Sequence, residues 1–269
     1  MRSEKPSCLE GFFCSKAVPK AGVYAGTKVA RGGFVEKRLI LSKRLSCLGG
    51  WVAPGARLVD VGTDHGFLPV SLLLEGVCQR AIAADIGSGP LQNARKTAER
   101  YGVLERMTFI TSDGLEQISP EEVDTVVMAG MGGETMIHIL EGAPWVNDPR
   151  YTLLLQPMSK AELLRSFLYS HGYEVERERL VEEPPFLYHV LLAKGGCLPK
   201  QMSDPLLRYG SAALWSSKDP LLGTYCDGLI GRLSRAIEGL QKSEKPEDTA
   251  RRRAMEEDRA ALIRKRREL

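Results

Sequence analysis

The stretch Leu58-Val59-Asp60-Val61-Gly62-Thr63-Asp64-His65-Gly66 decides the fold. A short, mostly apolar run enters a loop with a glycine at each end, and a helix-like segment follows at 67–75. In an open α/β sheet a ligand sits past the carboxyl ends of the strands, where the strand order reverses. Gly62 lets the backbone come close to such a ligand, and Gly66 eases the turn into the helix. A dinucleotide fingerprint would place G-x-G-x-x-G here, with a pyrophosphate on the helix N-terminus. Thr63, Asp64 and His65 stand there instead. Asp64 would repel a pyrophosphate and is compatible with a cationic sulfonium ligand that also carries an ammonium group. The plain alternative is a tight strand-to-helix turn.

Outward from this loop, strand-like runs recur at Arg80–Asp85, Met107–Thr111, Val123–Met128, Tyr151–Leu155, Tyr173–Leu180 and Leu187–Ala193. Helix-like stretches near 67–75, 89–102, 115–118, 133–141 and 159–171 separate them, except between the last two. The alternation predicts an α/β fold, a Rossmann-like parallel sheet with helices on both faces, closed by an antiparallel hairpin. That is the class I methyltransferase arrangement. Before it, Leu41, Leu45, Leu48 and Val52 recur at helical spacing until Pro54-Gly55. After Gly195-Gly196 and Pro199, residues 206–217, 220–242 and 247–268 read as helices, the last with coiled-coil composition. The domain reading is therefore a disordered extension at 1–36, a catalytic domain at 37–197 and a helical, coiled-coil-like domain at 198–269.

Candidate site residues gather where strands end. Asp60 closes the first run, ahead of Gly62. The second ends in Asp85-Ile86, where a carboxylate offers two oxygens to ribose hydroxyls. The third ends in Ser112-Asp113-Gly114, and Asp113 suits the exocyclic amine of an adenine or the N-cap of a helix at Leu115. The fourth leads into Ala129-Gly130-Met131-Gly132-Gly133, where few side chains intervene between backbone and ligand. The polar-Pro-Pro-aromatic segment that many amino-group methyltransferases carry there is missing. Gln156 and Pro157, after the fifth, can line the same cleft. Asp64, His65 and Gly132 are the candidates for chemistry, with Asp64 a general base. His138 and His171 read as helix-surface residues.

Composition narrows the class. Hydrophobic residues make up 43% of 269, with no apolar run of membrane-spanning length and no signal-peptide pattern at the start. Six cysteines lack C-x-x-C spacing and the four histidines form no metal cluster, so reduced thiols, a cytoplasmic setting and no metal are expected. Basic and acidic residues number ten and three in 1–50, twelve and twenty in 51–199, and fifteen and eleven in 200–269. A polyanionic partner would be held by the flanks. Lys43, Arg44, Arg252, Arg253 and Lys265 are the candidate RNA contacts, with an ordinary solvated helix face as the alternative.

Taken together, LSKRL, VDVGTDHGFLP, IAADIGSGPLQNA, SDGL, VDTVVMAGMGG and LLLQP resemble the bacterial TrmK family across roughly residues 39–195. Those proteins are transfer RNA methyltransferases that act on N1 of adenine 22 in the D-arm. The resemblance implies S-adenosylmethionine as methyl donor and tRNA bound through the C-terminal helices. By position, it puts Asp60, Gly62, Asp64 and His65 in the first cofactor loop, Asp85 on the ribose, Asp113 on the adenine, and Ala129 to Gly132 at the transfer cleft. Residues 1–36 have no counterpart in the family pattern, and Met158 stands where the family often has Asn. A monomer that methylates tRNA is the expectation. The alternatives are a nicotinamide-dependent oxidoreductase and an RNA-binding scaffold that keeps the fold without catalysis.

Overall fold

Seven strands, in the order β3-β2-β1-β4-β5-β7-β6, form one sheet in the computed structural model, which describes residues 39–241 and 245–269. The expected extension at 1–36 lies outside the described residues. The strands are β1 Leu58–Val61, β2 Ala81–Asp85, β3 Met107–Thr111, β4 Thr125–Met131, β5 Thr152–Pro157, β6 Glu174–Glu183 and β7 Phe186–Lys194. The first five run parallel, and β7 alone is antiparallel to both its neighbours, so the expected hairpin closes the edge. Strand order reverses between β1 and β4, the place where an open α/β sheet takes its ligand at the strands' carboxyl ends.

Helices α1 Lys43–Gly49, α2 Phe67–Leu74 and α3 Ser88–Tyr101 cover one face through Leu48, Leu68, Leu72 and Ala94. On the other face α4 Gly133–Gly142 and α5 Ala161–Ser170 pack Met136, Leu140, Leu164 and Leu168 against Val126, Met128 and Leu155. Both faces of β4 and β5 are buried, which explains their near-continuous apolar sequence. The helix expected at 115–118 does not form. Residues there make turns ahead of a 3₁₀ turn at Pro120–Glu122, because Ser112 Oγ accepts from Gln117 N and donates to Gly114 O, holding the chain in a tight loop.

The single helix expected at 206–217 is broken. A 3₁₀ turn at Pro205–Arg208 is followed by α6 Ala212–Trp215, with buried Ser211 capping α6. Helices α7 Leu222–Leu240 and α8 Pro246–Glu268 then pack antiparallel, with Arg266 paired to Asp227 and Arg259 reaching Ser234. They share an apolar core with Leu180 of β6 and Leu187 of β7, so residues 39–269 form one compact unit.

The junction depends on Glu178. A bulge between Val175 and Arg177 inverts the in–out alternation of β6 and turns Glu178 inward. There Oε1 accepts from Arg165 Nη1 at 2.8 Å and lies 2.6 Å from His189 Nδ1, while Oε2 accepts from Ser211 N at 2.6 Å. Arg165 Nη2 also donates to Arg208 O at 2.8 Å. Burial opposes the charge on Glu178, but Arg165 and His189 together hold its carboxyl down at about 2. Burial pushes the His189 imidazole below its usual range, so at neutral pH it is uncharged and its Nδ1–H donates to Glu178.

A carboxyl depressed from 4.5 to about 2 stabilises the fold fully above 4.5, and that stabilisation is lost as pH falls through 2. Arg165→Met leaves the buried carboxylate without its cation and should cost about 3–5 kcal/mol. Urea denaturation at pH 7 measures it, and an unchanged midpoint would deny the pair a structural role.

Candidate functional site

The carboxyl ends of the parallel strands bring the expected cofactor residues to one edge of the sheet. Asp60, in β1, is 8% exposed, and no ion pair reaches it among the described residues. Burial pushes its carboxyl up to about 6, and the neighbouring Asp85 charge adds to the rise. Asp85 ends β2 half-buried, with Oδ1 accepting from Gly87 N at 2.7 Å, which fixes the carboxylate and leaves Oδ2 without a donor among the described residues. Ile86 beside it is 69% exposed. Asp113 is exposed after β3, above buried Gly114. The capping role open to Asp113 is not taken up, since Ser112 supplies the local hydroxyl contacts.

Gly62 has φ 73°, and a Cβ there would fall 2.6 Å from Met131 Cε, so the first loop and the end of β4 lie close together. Beyond it Asp64 and His65 are exposed, with His65 Nε2 3.2 Å from Asp64 Oδ2. The His65 ring stacks on Phe67 at 5.1 Å between centroids, and Phe67, the first residue of α2, is 40% exposed.

The fourth strand runs to Met131 rather than ending at Met128. Ala129 pairs with Gln156 and Met131 with Pro157, so Gly130 is an extra residue bulged out of register. Its φ of 82° suits glycine, and the space where a Cβ would stand is open. Gly132 is the N-cap of α4. Gln156, expected to line the cleft, is fully buried, with its amide turned to Arg44 and Pro157 O.

The candidate RNA residues fall in two places. Lys43 and Arg44 lie on α1, where Lys43 is exposed but Arg44 is bound to Glu183 and Gln156. Arg252, Arg253 and Lys265 lie on α8. Arg253 is exposed, Arg252 faces Glu256 at 3.9 Å, and Lys265 pairs with Glu268. Phe67, Glu178 and Gly130 as a bulge were the features missed in the sequence. Only Phe67 left a signal, as the one aromatic residue in the DHGFLP segment. Among the described residues no three His, Cys, Asp or Glu side chains gather as a metal site, and no helix is long and apolar enough to cross a membrane.

Known proteins share this arrangement. The family model described as a methyltransferase domain matches residues 41–191. The Bacillus subtilis tRNA (adenine(22)-N(1))-methyltransferase is 36% identical over 158 residues, which are 59% of this chain and 66% of that protein. The crystal structure of the B. subtilis m1A22 tRNA methyltransferase TrmK superposes with a TM-score of 0.72 at 26% identity, covering 85% of this chain and 99% of that one. A Streptococcus pneumoniae protein assigned as a tRNA (m1A22) methyltransferase, solved in complex with S-adenosyl-L-methionine, gives 0.72 at 28%, covering 84% and 99%.

The elevated Asp60 carboxyl has a consequence for stability. Asp60 favours the folded state when protonated. That stabilisation is complete below its ordinary value of 3.8 and is lost as pH rises through about 6. At neutral pH Asp60 is therefore a buried charge without a cation among the described residues. Asp60→Asn should stabilise the free protein at pH 8 by on the order of 2 kcal/mol and by much less at pH 4. Thermal melts at both values decide the matter: a gain that does not depend on pH would rule out the buried charge as its source.

Proposed function

The chain belongs to the methyltransferase-domain family, and from that premise we propose that it transfers a methyl group from S-adenosylmethionine to N1 of an adenine in tRNA, at position 22 of the D-arm. The observation that carries the reading is the pair of carboxylates, Asp60 and Asp85, which no cation among the described residues pairs at the strand-order reversal. A ligand that brings an ammonium, a sulfonium and ribose hydroxyls supplies what these groups lack. The bulged, side-chain-free Gly130 gives it room. Asp85 Oδ2 would accept a ribose hydroxyl, Asp113 an exocyclic amine, and Asp60, through Gly62, would face the cationic end.

Bound there, S-adenosylmethionine supplies an electrophilic methyl group on sulfur. Adenine N1 already presents a lone pair, so the protein's task is alignment and tolerance of positive charge rather than strong base catalysis. The acidic cleft meets the second need. Asp64, 3.2 Å from His65 Nε2, can take up the proton that the methylated base later sheds. A paired N1 edge is hidden, so the base must leave its stack, and the half-exposed Phe67 ring on His65 offers it an apolar face. We read the chain as a monomer, because its own helices α6 to α8 cover the apolar face of β6 and β7. Free thiols at Cys47, Cys78 and Cys226 fit the cytoplasm, where tRNA is found.

Asp85→Ala should weaken S-adenosylmethionine by about 1.5–3 kcal/mol in calorimetry, and unchanged affinity in a folded variant would remove Asp85 from the site. Affinity should also fall as pH drops below about 6, where Asp60 takes up a proton, and Asp60→Asn should flatten that profile. The tRNA reading is tested on α8. Its helices share a core with the sheet, so exposed charges are changed rather than the domain removed. Arg253→Gln with Arg264→Gln should reduce the salt slope of tRNA binding by about 2 and leave cofactor affinity intact. Equal slopes for variant and wild type would move the RNA surface elsewhere.

A further inference from the structure

Arg44 stands on α1, outside the sheet, yet its side chain joins three elements on the β5 side of the cleft. Its backbone N and Nε donate to the two oxygens of Glu183, at the end of β6, at 2.9 and 2.8 Å. Nη1 donates to Gln156 Oε1 at 2.5 Å and approaches Met158 Sδ at 3.1 Å. The guanidinium also lies over the Tyr188 ring, 4.8 Å from its centroid. A side chain so engaged, with 20% of its surface exposed, has little left to offer a phosphate.

The chain of contacts continues into the cleft. Gln156 is fully buried, and its Nε2 donates to Pro157 O at 2.9 Å, so both ends of the amide are committed. Met158 N then donates to Met131 O at 2.8 Å, and Gly133 N to Ser159 O at 2.9 Å. A Cβ on Gly133 would fall 2.5 Å from Lys160 O, which shows how tightly the two segments are pressed together. Lys160 is the one non-glycine among the described residues with positive φ, 58°, a conformation kept only where surroundings over-determine it. The segment 157–160 is therefore clamped between Arg44 on one side and residues 131–133 on the other.

We propose that Arg44 is a positioning residue for methyl transfer. Through Gln156 and the segment after β5, it sets the Met131–Gly133 wall of the cleft against which the acceptor base lies. This rests on the functional reading above. Arginine suits the task because its planar fork serves Glu183 and Gln156 at once, whereas a lysine ammonium keeps the charge without that geometry. Misplacing a reacting group by about 1 Å can cost on the order of a hundredfold in rate, so the effect belongs in kcat.

Kinetics on the full chain separates the possibilities, using unmodified tRNA transcript, wild type, Arg44→Lys, Gln156→Met and the double variant, with folding checked by circular dichroism and cofactor affinity by calorimetry. Each single variant should lose about tenfold or more in kcat, with KM for tRNA within about twofold and the salt slope unchanged. The double variant should be no worse than either single one, since both break one connection. A raised KM with kcat kept and a salt slope lower by about one would make Arg44 a phosphate contact and overturn the proposal. Additive losses in the double variant, or wild-type kcat in both folded single variants, would overturn it as well. A wild type that methylates no tRNA would instead strike the functional reading, and this proposal with it. If Arg44→Lys does not fold, Gln156→Met alone carries the test, because it leaves the Arg44–Glu183 pair in place.

Discussion

A carboxylate cut off from water must find compensation, and in this chain Glu178 finds it completely. Arg165, His189 and the amide of Ser211 surround it, and these four residues come from α5, β6, β7 and the segment that begins the C-terminal helices. The apolar core behind α7 and α8 would allow several packings by itself, since hydrophobic contact has no direction. The charged pair has direction, and its hydrogen bonds are all met in this packing. Around that junction Arg208 and Tyr209 both reach Asp258 of α8, so the end of the chain is tied to the sheet through polar groups as well as apolar ones.

The same fold buries a second carboxylate with a hydrogen bond from Thr63 but no cation among the described residues. Asp60 lies at the carboxyl end of β1 with another acid, Asp85, as its charged neighbour, and its carboxyl rises where that of Glu178 falls. The contrast separates architecture from function. Carboxyls perturbed by burial in this way cluster at functional sites more than elsewhere, which is what the proposed role of Asp60 rests on. The parallel strands place that charge at the same edge of the sheet as the Gly62 loop, the Asp85 carboxylate and the bulged end of β4.

Much of this was legible in the sequence. Alternating strand and helix patterns gave the parallel sheet and its closing hairpin, because burial on both faces leaves unmistakable apolar runs. Asp60, Asp85, Asp113 and the glycines near the end of β4 could be placed at one edge of the sheet because each sits at or near the end of a strand. The rest depended on contacts remote in the chain or on shifts of register. Arg44 looked like a free cation because its partners Glu183 and Gln156 lie 139 and 112 residues away. Glu178 carried no signal of its own in the charged run after Tyr173, because the bulge between Val175 and Arg177 is what turns it inward. Gly130 likewise read as loop, and the structure makes it an irregularity inside a strand. The helix expected across 206–217 failed at Gly210-Ser211, where the chain turns so that the Ser211 amide can reach Glu178.

The bulge at Gly130 also bears on how the protein could change. From Ala129 to Gly132 the cleft wall is made largely of peptide groups, with Met131 its only long side chain. Whatever lies against it meets shape and fixed backbone dipoles, which are encoded by the path of the chain rather than by any one residue. Point substitutions have little to exchange there. A descendant with a different acceptor would have to redraw the loop itself, by insertion, deletion or loss of the bulge, so this wall should drift slowly.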